Sequence, residues 1–211
     1  MVTRITAAQK VAASVQKNVK RALAGTLGLS GERMSKVDTA WLRMDCDANL
    51  MMIVGVWQLA PGIKMEAVRE RIENSLLKYA RFKQRVIEDA AGATWVNDRN
   101  FDLANHVVLE KLPKAHNQNG VQQDALQDRV AALATQRLDP KRPLWQMHLI
   151  EDYTGPDGVK GSALIVRIHH CIADGIALIS VTMSLVDGGV APPEQHKKDT
   201  ADTAMGGAQT G

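Results

Sequence analysis

Two cysteines, Cys46 and Cys171, are too few for a disulfide framework in a chain of 211 residues, which excludes a small stapled secreted scaffold. No stretch approaches the ~18 consecutive apolar residues that a membrane-spanning helix needs. The most apolar runs, 50–59 and 162–168, have the length of strands. The N-terminal segment has no compact apolar core followed by a small-residue cleavage site, so it does not read as a secretory signal and a cytoplasmic location is expected. Acidic residues are scarce at the start. Residues 1–36 hold seven Lys/Arg against one acid, Glu32, and the remainder holds nineteen against twenty-two. The net charge of +3 therefore comes from a separable basic leader on a mildly acidic body. A nucleic-acid-binding domain, whose basic footprint should lie on the folded body, is disfavoured.

What is present suffices for one core: 45% of residues are apolar and 23% charged, near the soluble-protein average. Residues 5–24 predict an amphipathic helix, with Ile5, Ala8, Val11, Ala12, Val15, Val19 and Leu23 on one face and Lys10, Lys17, Lys20 and Arg21 opposite. Such a helix can lie on an anionic lipid surface or pack on the body. Ser35 is placed to cap a short helix carrying Val37, Ala40, Trp41 and Leu42. A buried strand over 50–59 and a helix over 65–79 follow. A hairpin pairs 82–87 with 94–96, and another strand covers 107–112. A helix over 122–138 is closed by Asp139-Pro140, since proline disfavours helical geometry just before it. Strands over 144–150 and 163–169 flank the turn-rich segment 154–158, and a last helix covers 174–186. Elements alternate without a strict βαβ rhythm, which predicts a mixed α/β fold. The expected organisation is a leader, 1–33, a domain, 34–188, and a flexible tail, 189–211.

The most informative stretch is 162–175, SALIVRIHHCIADG. An apolar run ends in His169-His170 and passes through Cys171 to Asp174-Gly175. Neighbouring side chains on a strand point to opposite faces, so only one of the two histidines can face a given cleft. Asp174 can turn back to fix the loop, with Arg167 the nearest candidate cation in sequence, and Gly175 permits backbone angles that other residues resist. An imidazole titrates near pH 6.5, so it can take a proton from a hydroxyl and return it to a thiolate. Divergence of the histidines disfavours a metal site, and none is expected; it equally disfavours a Cys171–His170 nucleophile pair. On the residues alone, a general base and a structural histidine pair both remain open.

His169-His170-Cys171-Ile172-Ala173-Asp174-Gly175 resembles the HHxxxDG signature of the coenzyme A-dependent, chloramphenicol acetyltransferase-like acyltransferases. Arg142-Pro143-Leu144-Trp145 and the following strand resemble the PLW block of the wax ester synthase/diacylglycerol acyltransferase branch. Met34-Ser35-Lys36-Val37-Asp38 with Ala40-Trp41-Leu42 is similar to its opening segment. The resemblance implies an α/β, mixed-sheet acyltransferase half-fold with helices packed on the sheet. It implies an acyl-CoA-dependent O-acyltransferase with no resident cofactor, acyl-CoA being a co-substrate. The acceptor would be a long-chain alcohol or diacylglycerol, giving wax ester or triacylglycerol. His170 would be the general base, with His169, Asp174 and Gly175 shaping its turn. Pro143, Leu144 and Trp145 would serve packing or the acyl chain; for Trp145 a buried strand anchor is the alternative. Family members continue into a second half of comparable size. The resemblance therefore implies an N-terminal half whose partner is the C-terminal half, with a membrane or lipid-inclusion surface as a further peripheral contact. The alternatives are a peptide-synthetase-type condensation domain and a non-catalytic lipid-binding half.

Overall fold

The computed structural model describes residues 31–90, 92–114 and 121–172. The leader helix over 5–24, the last helix over 174–186 and the tail lie outside the described residues.

Chain order is β1 (Glu32–Arg33), α1 (Lys36–Met44), β2 (Met52–Leu59), α2 (Met65–Asn74), β3 (Gln84–Asp89), β4 (Gly92–Asn97), β5 (Val107–Glu110), α3 (Gln123–Ala134), β6 (Trp145–Thr154) and β7 (Lys160–His169). A four-stranded sheet runs β2-β7-β6-β5, and a smaller one runs β1-β4-β3. In the larger sheet β5 and β6 are parallel and the other pairs antiparallel, so the sheet is mixed, as expected. β1 is a finding beyond the sequence reading: it pairs Glu32 with Trp95 and Arg33 with Thr94, so the body begins ahead of Met34.

Local chemistry sets the boundaries. The Ser35 hydroxyl accepts from the Asp38 N–H at 3.0 Å, the expected cap of α1. The helix predicted over 65–79 ends at Asn74 and continues as a tighter turn, Leu76–Lys78, which swings Leu76 into the core at 0% exposure. No side chain of Lys64 caps α2. Instead the Glu151 carboxylate accepts the Met65 N–H at 2.9 Å and holds Lys64 Nζ at 2.9 Å, where a negative charge suits the helix N-terminus. A register shift in β6 between Ile150 and Tyr153 releases Glu151 for this contact.

β7 is central, and its residues from Ser162 to His169 are all buried, as the continuous apolar run predicts for a strand covered on both faces. Leu164, Val166 and Ile168 join Trp145, Met147 and Leu149 against α2, Phe82 and Trp95. On the other face Ala163, Ile165, Ile150 and Tyr153 receive Leu126 and Leu133 of α3. At Gly161 the backbones nearly touch, since a Cβ there would lie 2.1 Å from the Leu59 carbonyl oxygen.

Candidate active site at the histidine turn

β7 ends at His169, where the backbone is held from both sides. The His169 N–H donates to the Leu144 carbonyl at 3.0 Å, and the His170 N–H donates to that of Met51 at 2.9 Å. The Ile172 N–H then closes the turn on the His169 carbonyl at 3.0 Å. β7 ends at His169 and His170 already lies in the turn, so strand alternation does not extend to the second histidine.

The His169 ring goes inward and is 4% exposed. Its Nδ1 accepts the Cys171 N–H at 3.0 Å. Its Nε2 has no hydrogen-bond partner and lies 3.9 Å from Asp45 Oδ1. Burial pushes its pKa below the ordinary imidazole value; Asp45 opposes this, while His170 and Arg137 reinforce it. The ring borders a cavity of about 420 Å³ lined by Leu42, Met52, Leu138 and Leu144 among others. His170 is half-buried, and its ring stacks on Trp41 at 4.9 Å with 22° between planes.

Cys171 is 1% exposed, and burial is the main reason its thiol is pushed up to about 12. A group so reluctant to ionise is a poor nucleophile at neutral pH. Asp174 and Gly175 lie outside the described residues. Arg167 donates to Gln146 Oε1 at 3.0 Å and to the Gln136 carbonyl. Among the described residues, no three His, Cys, Asp or Glu side chains are grouped to hold a metal ion.

The PLW residues divide by location. Pro143 is buried. Leu144 borders the cavity beside His169. Trp145 is 1% exposed; its Nε1–H donates to the Phe82 carbonyl at 2.8 Å. The Trp145 ring stacks on His106 at 4.6 Å and meets Phe82 edge-on at 5.8 Å.

Sequence reasoning missed two groups. The first is Asp45 with Arg137, which reach the histidine turn from α1 and from the segment after α3. The second is a buried polar network. His148 Nδ1 lies 2.6 Å from Glu110 Oε1 and its Nε2 lies 3.0 Å from Gln146 Oε1, while Arg129 grips both oxygens of Glu110. Arg129 first, then His148, hold the Glu110 carboxyl below its usual value, and burial keeps His148 below its own. A carboxylate and an amide 19 and 21 positions from their partners in α3 and β7 leave no periodic signal in a sequence.

Against known proteins, residues 34–207 match a family model described as the wax ester synthase/diacylglycerol acyltransferase catalytic domain. A probable diacylglycerol O-acyltransferase of Mycobacterium tuberculosis is 32% identical over 162 residues, 73% of this chain and 33% of that protein. Wax ester synthase/diacylglycerol acyltransferase 5 of Arabidopsis thaliana is 26% identical, over 63% of this chain and 26% of its own length. Among solved structures, the wax ester synthase/diacylglycerol acyltransferase of Marinobacter aquaeolei VT8 superposes with a TM-score of 0.55 at 25% identity, covering 72% of this chain and 37% of that one. The starter condensation domain of rhizomide synthetase RzmA, solved in complex with C8-CoA, gives 0.59 at 15% identity over 77% of this chain and 36% of that one. At that identity the second likeness speaks for the fold alone. The chain spans about a third of the length of the first relatives it matches. From its strand order to its matched residues, the chain belongs to the wax ester synthase/diacylglycerol acyltransferase catalytic-domain family.

Proposed function

We propose that this chain carries the general base of an O-acyltransferase that moves a fatty acyl group from acyl-CoA to a long-chain alcohol or diacylglycerol. His170 takes the proton of the acceptor hydroxyl as its oxygen attacks the thioester carbonyl. The carbon–sulfur bond then breaks, and the coenzyme A thiolate takes the proton from the imidazolium. Ester and free coenzyme A leave, with no acyl-enzyme intermediate and no resident cofactor. A base so placed contributes ~10²–10⁴ in rate.

The observation that carries this reading is the difference in surroundings between the two rings. His169 spends Nδ1 on the backbone and is enclosed, whereas His170 is only half-buried and stacks on Trp41. Leu144, on the cavity beside His169, lies where an acyl or alkyl chain can pass. The remainder of the relatives' length supplies the second wall of the cleft, which a two-substrate reaction needs to hold both reactants in register. The basic leader adds a peripheral contact with anionic lipid. Deleting residues 1–30, which leaves β1 intact, weakens vesicle binding, and salt weakens the binding of the intact chain.

The test is thiol release from a long-chain acyl-CoA with hexadecanol or diacylglycerol as acceptor. It is run on the chain alone and fused to the C-terminal portion of a family member. The fusion turns over and the chain alone is slow. His170→Ala lowers turnover of the fusion by roughly 10²-fold or more while unfolding stays cooperative. Near-normal turnover in that variant would remove His170 from the mechanism.

A further inference from the structure

Trp41 and Asp45 are four residues apart at the C-terminal end of α1, Asp45 being its C-cap, so they share one side of the helix. Trp41 lies against the ring of His170 and Asp45 against that of His169. The Asp45 carboxylate is itself fixed. Arg137 NH2 holds Oδ2 at 2.6 Å and reaches the Asp45 carbonyl at 3.2 Å, while Arg137 NH1 holds Asp47 at 2.7 Å. Oδ1 accepts the Met51 N–H at 2.8 Å, and the carbonyl of that same Met51 receives the His170 N–H. A backbone bridge between Cys46 and Asn49 closes the loop between them.

The tautomer of His169 follows from its partners. A backbone N–H can only donate, so Nδ1, which receives the Cys171 N–H, must present a lone pair. In the neutral ring the proton is then on Nε2, directed at the side where Asp45 Oδ1 waits at 3.9 Å. At that distance the interaction is electrostatic rather than a hydrogen bond, but the site is enclosed and Asp45 is the nearest anion among the described residues. An inverted ring would bring Cδ2 to the Cys171 N–H and break the short contact that shapes the turn.

We propose that Asp45, clamped by Arg137, is a positioning residue that holds the imidazole of His169 in its Nε2–H form and orientation, and so sets the turn that presents His170. The inference rests on His170 being the base. Asp45 touches no substrate and acts through His169. Among the described residues, the charged or titratable groups around His169 are Asp45, Arg137, His170 and Cys171, with Arg43 and Glu88 on the same cavity.

Long-range proton–nitrogen correlation spectra of the chain labelled with ¹⁵N-histidine read the tautomer directly, and a His169→Gln variant assigns the signal. His169 shows a single Nε2–H pattern in the unaltered chain. In Asp45→Asn its signals shift or broaden, and its titration midpoint moves to lower pH, because the anion that favours the charged ring is gone. In the fusion enzyme Asp45→Asn lowers kcat by about tenfold or more, with KM for acyl-CoA unchanged. Arg137→Ala acts in the same direction and less. An Nδ1–H pattern in the unaltered chain overturns the proposal, as does an Asp45→Asn variant with unchanged His169 spectra and unchanged kcat. Complete inactivity of the unaltered fusion would instead count against the acyltransfer reading, and the spectra would still decide the Asp45 assignment.

Discussion

Trp145 offers a sharp test of whether the PLW block packs the fold or lines a substrate path. Its indole is 1% exposed, donates to the Phe82 carbonyl, and stacks on His106. Truncation to alanine removes a fully buried aromatic, which costs about 3–5 kcal/mol through lost transfer energy and the cavity left behind. Trp145→Phe keeps most of the ring but removes the Nε1–H. The Phe82 carbonyl then loses its donor in a dry interior, at about 1–3 kcal/mol, and part of the His106 stack, worth ~0.5–1.5 kcal/mol, goes with the smaller ring. About 2–4 kcal/mol is therefore expected for phenylalanine, and more for alanine. Urea unfolding of the chain, followed by circular dichroism, reads both as a lower midpoint at unchanged slope. In the fusion enzyme the relative rates with different acyl-chain lengths stay as they were. A Trp145→Phe variant that keeps its urea midpoint but changes acyl-chain preference would refute the packing argument and put the indole on the substrate path.

Three further outcomes are expected. Burial is the first cause lowering the pKa of His106, His148 and His169, so below about pH 6.5 the unfolded chain binds protons that the fold does not. Stability is thus fully present above that pH and falls as pH drops toward the lowered values, by at most ~1.4 kcal/mol per pH unit for each histidine; a urea midpoint unchanged between pH 7.5 and 5.5 would contradict this. Ser35→Ala removes the hydroxyl that caps α1 and lowers stability by about 1 kcal/mol, or ~2–4 °C in Tm, which calorimetry reads. Gly161→Ala drives a methyl into the Leu59 carbonyl and costs ~1–3 kcal/mol as overpacking; a neutral effect on the thermal midpoint would mean that the strands can part there.

The elements legible in the sequence are those governed by neighbours in the chain. Ser35 and its helix, the apolar run that becomes β7, and the turn between β6 and β7 each carry their cause within a few residues. The missed features depend on contacts across the fold. α2 has no cap of its own because Glu151 reaches its N-terminus from 86 positions away. That contact needs an irregularity in β6 which no pattern of apolar residues announces. β1 is only two residues long and lies on the edge of a sheet whose other strands come later. Asp45 reads in sequence as one more helix-end acid. Its meaning comes from Arg137, 92 positions on, and from a histidine that enters only with β7.

The register of β2 on β7 also has a consequence in time. Leu59 pairs with Ser162 and Met52 with His169, so the ladder closes a loop of roughly a hundred residues before its first contact is rewarded, and such pairings form slowly. On a ribosome adding ~5–20 residues per second, β2 is out of the exit tunnel for roughly 5–20 s before β7 follows. Through that interval Ile53, Val54 and Trp57 have no strand beside them, and the Met51 carbonyl waits for an amide not yet made. The histidine turn is thus among the last parts of the described chain to be synthesised, and the strand it must dock against is among the first. Slowing translation between residues 60 and 160 lengthens the exposure of that strand in direct proportion.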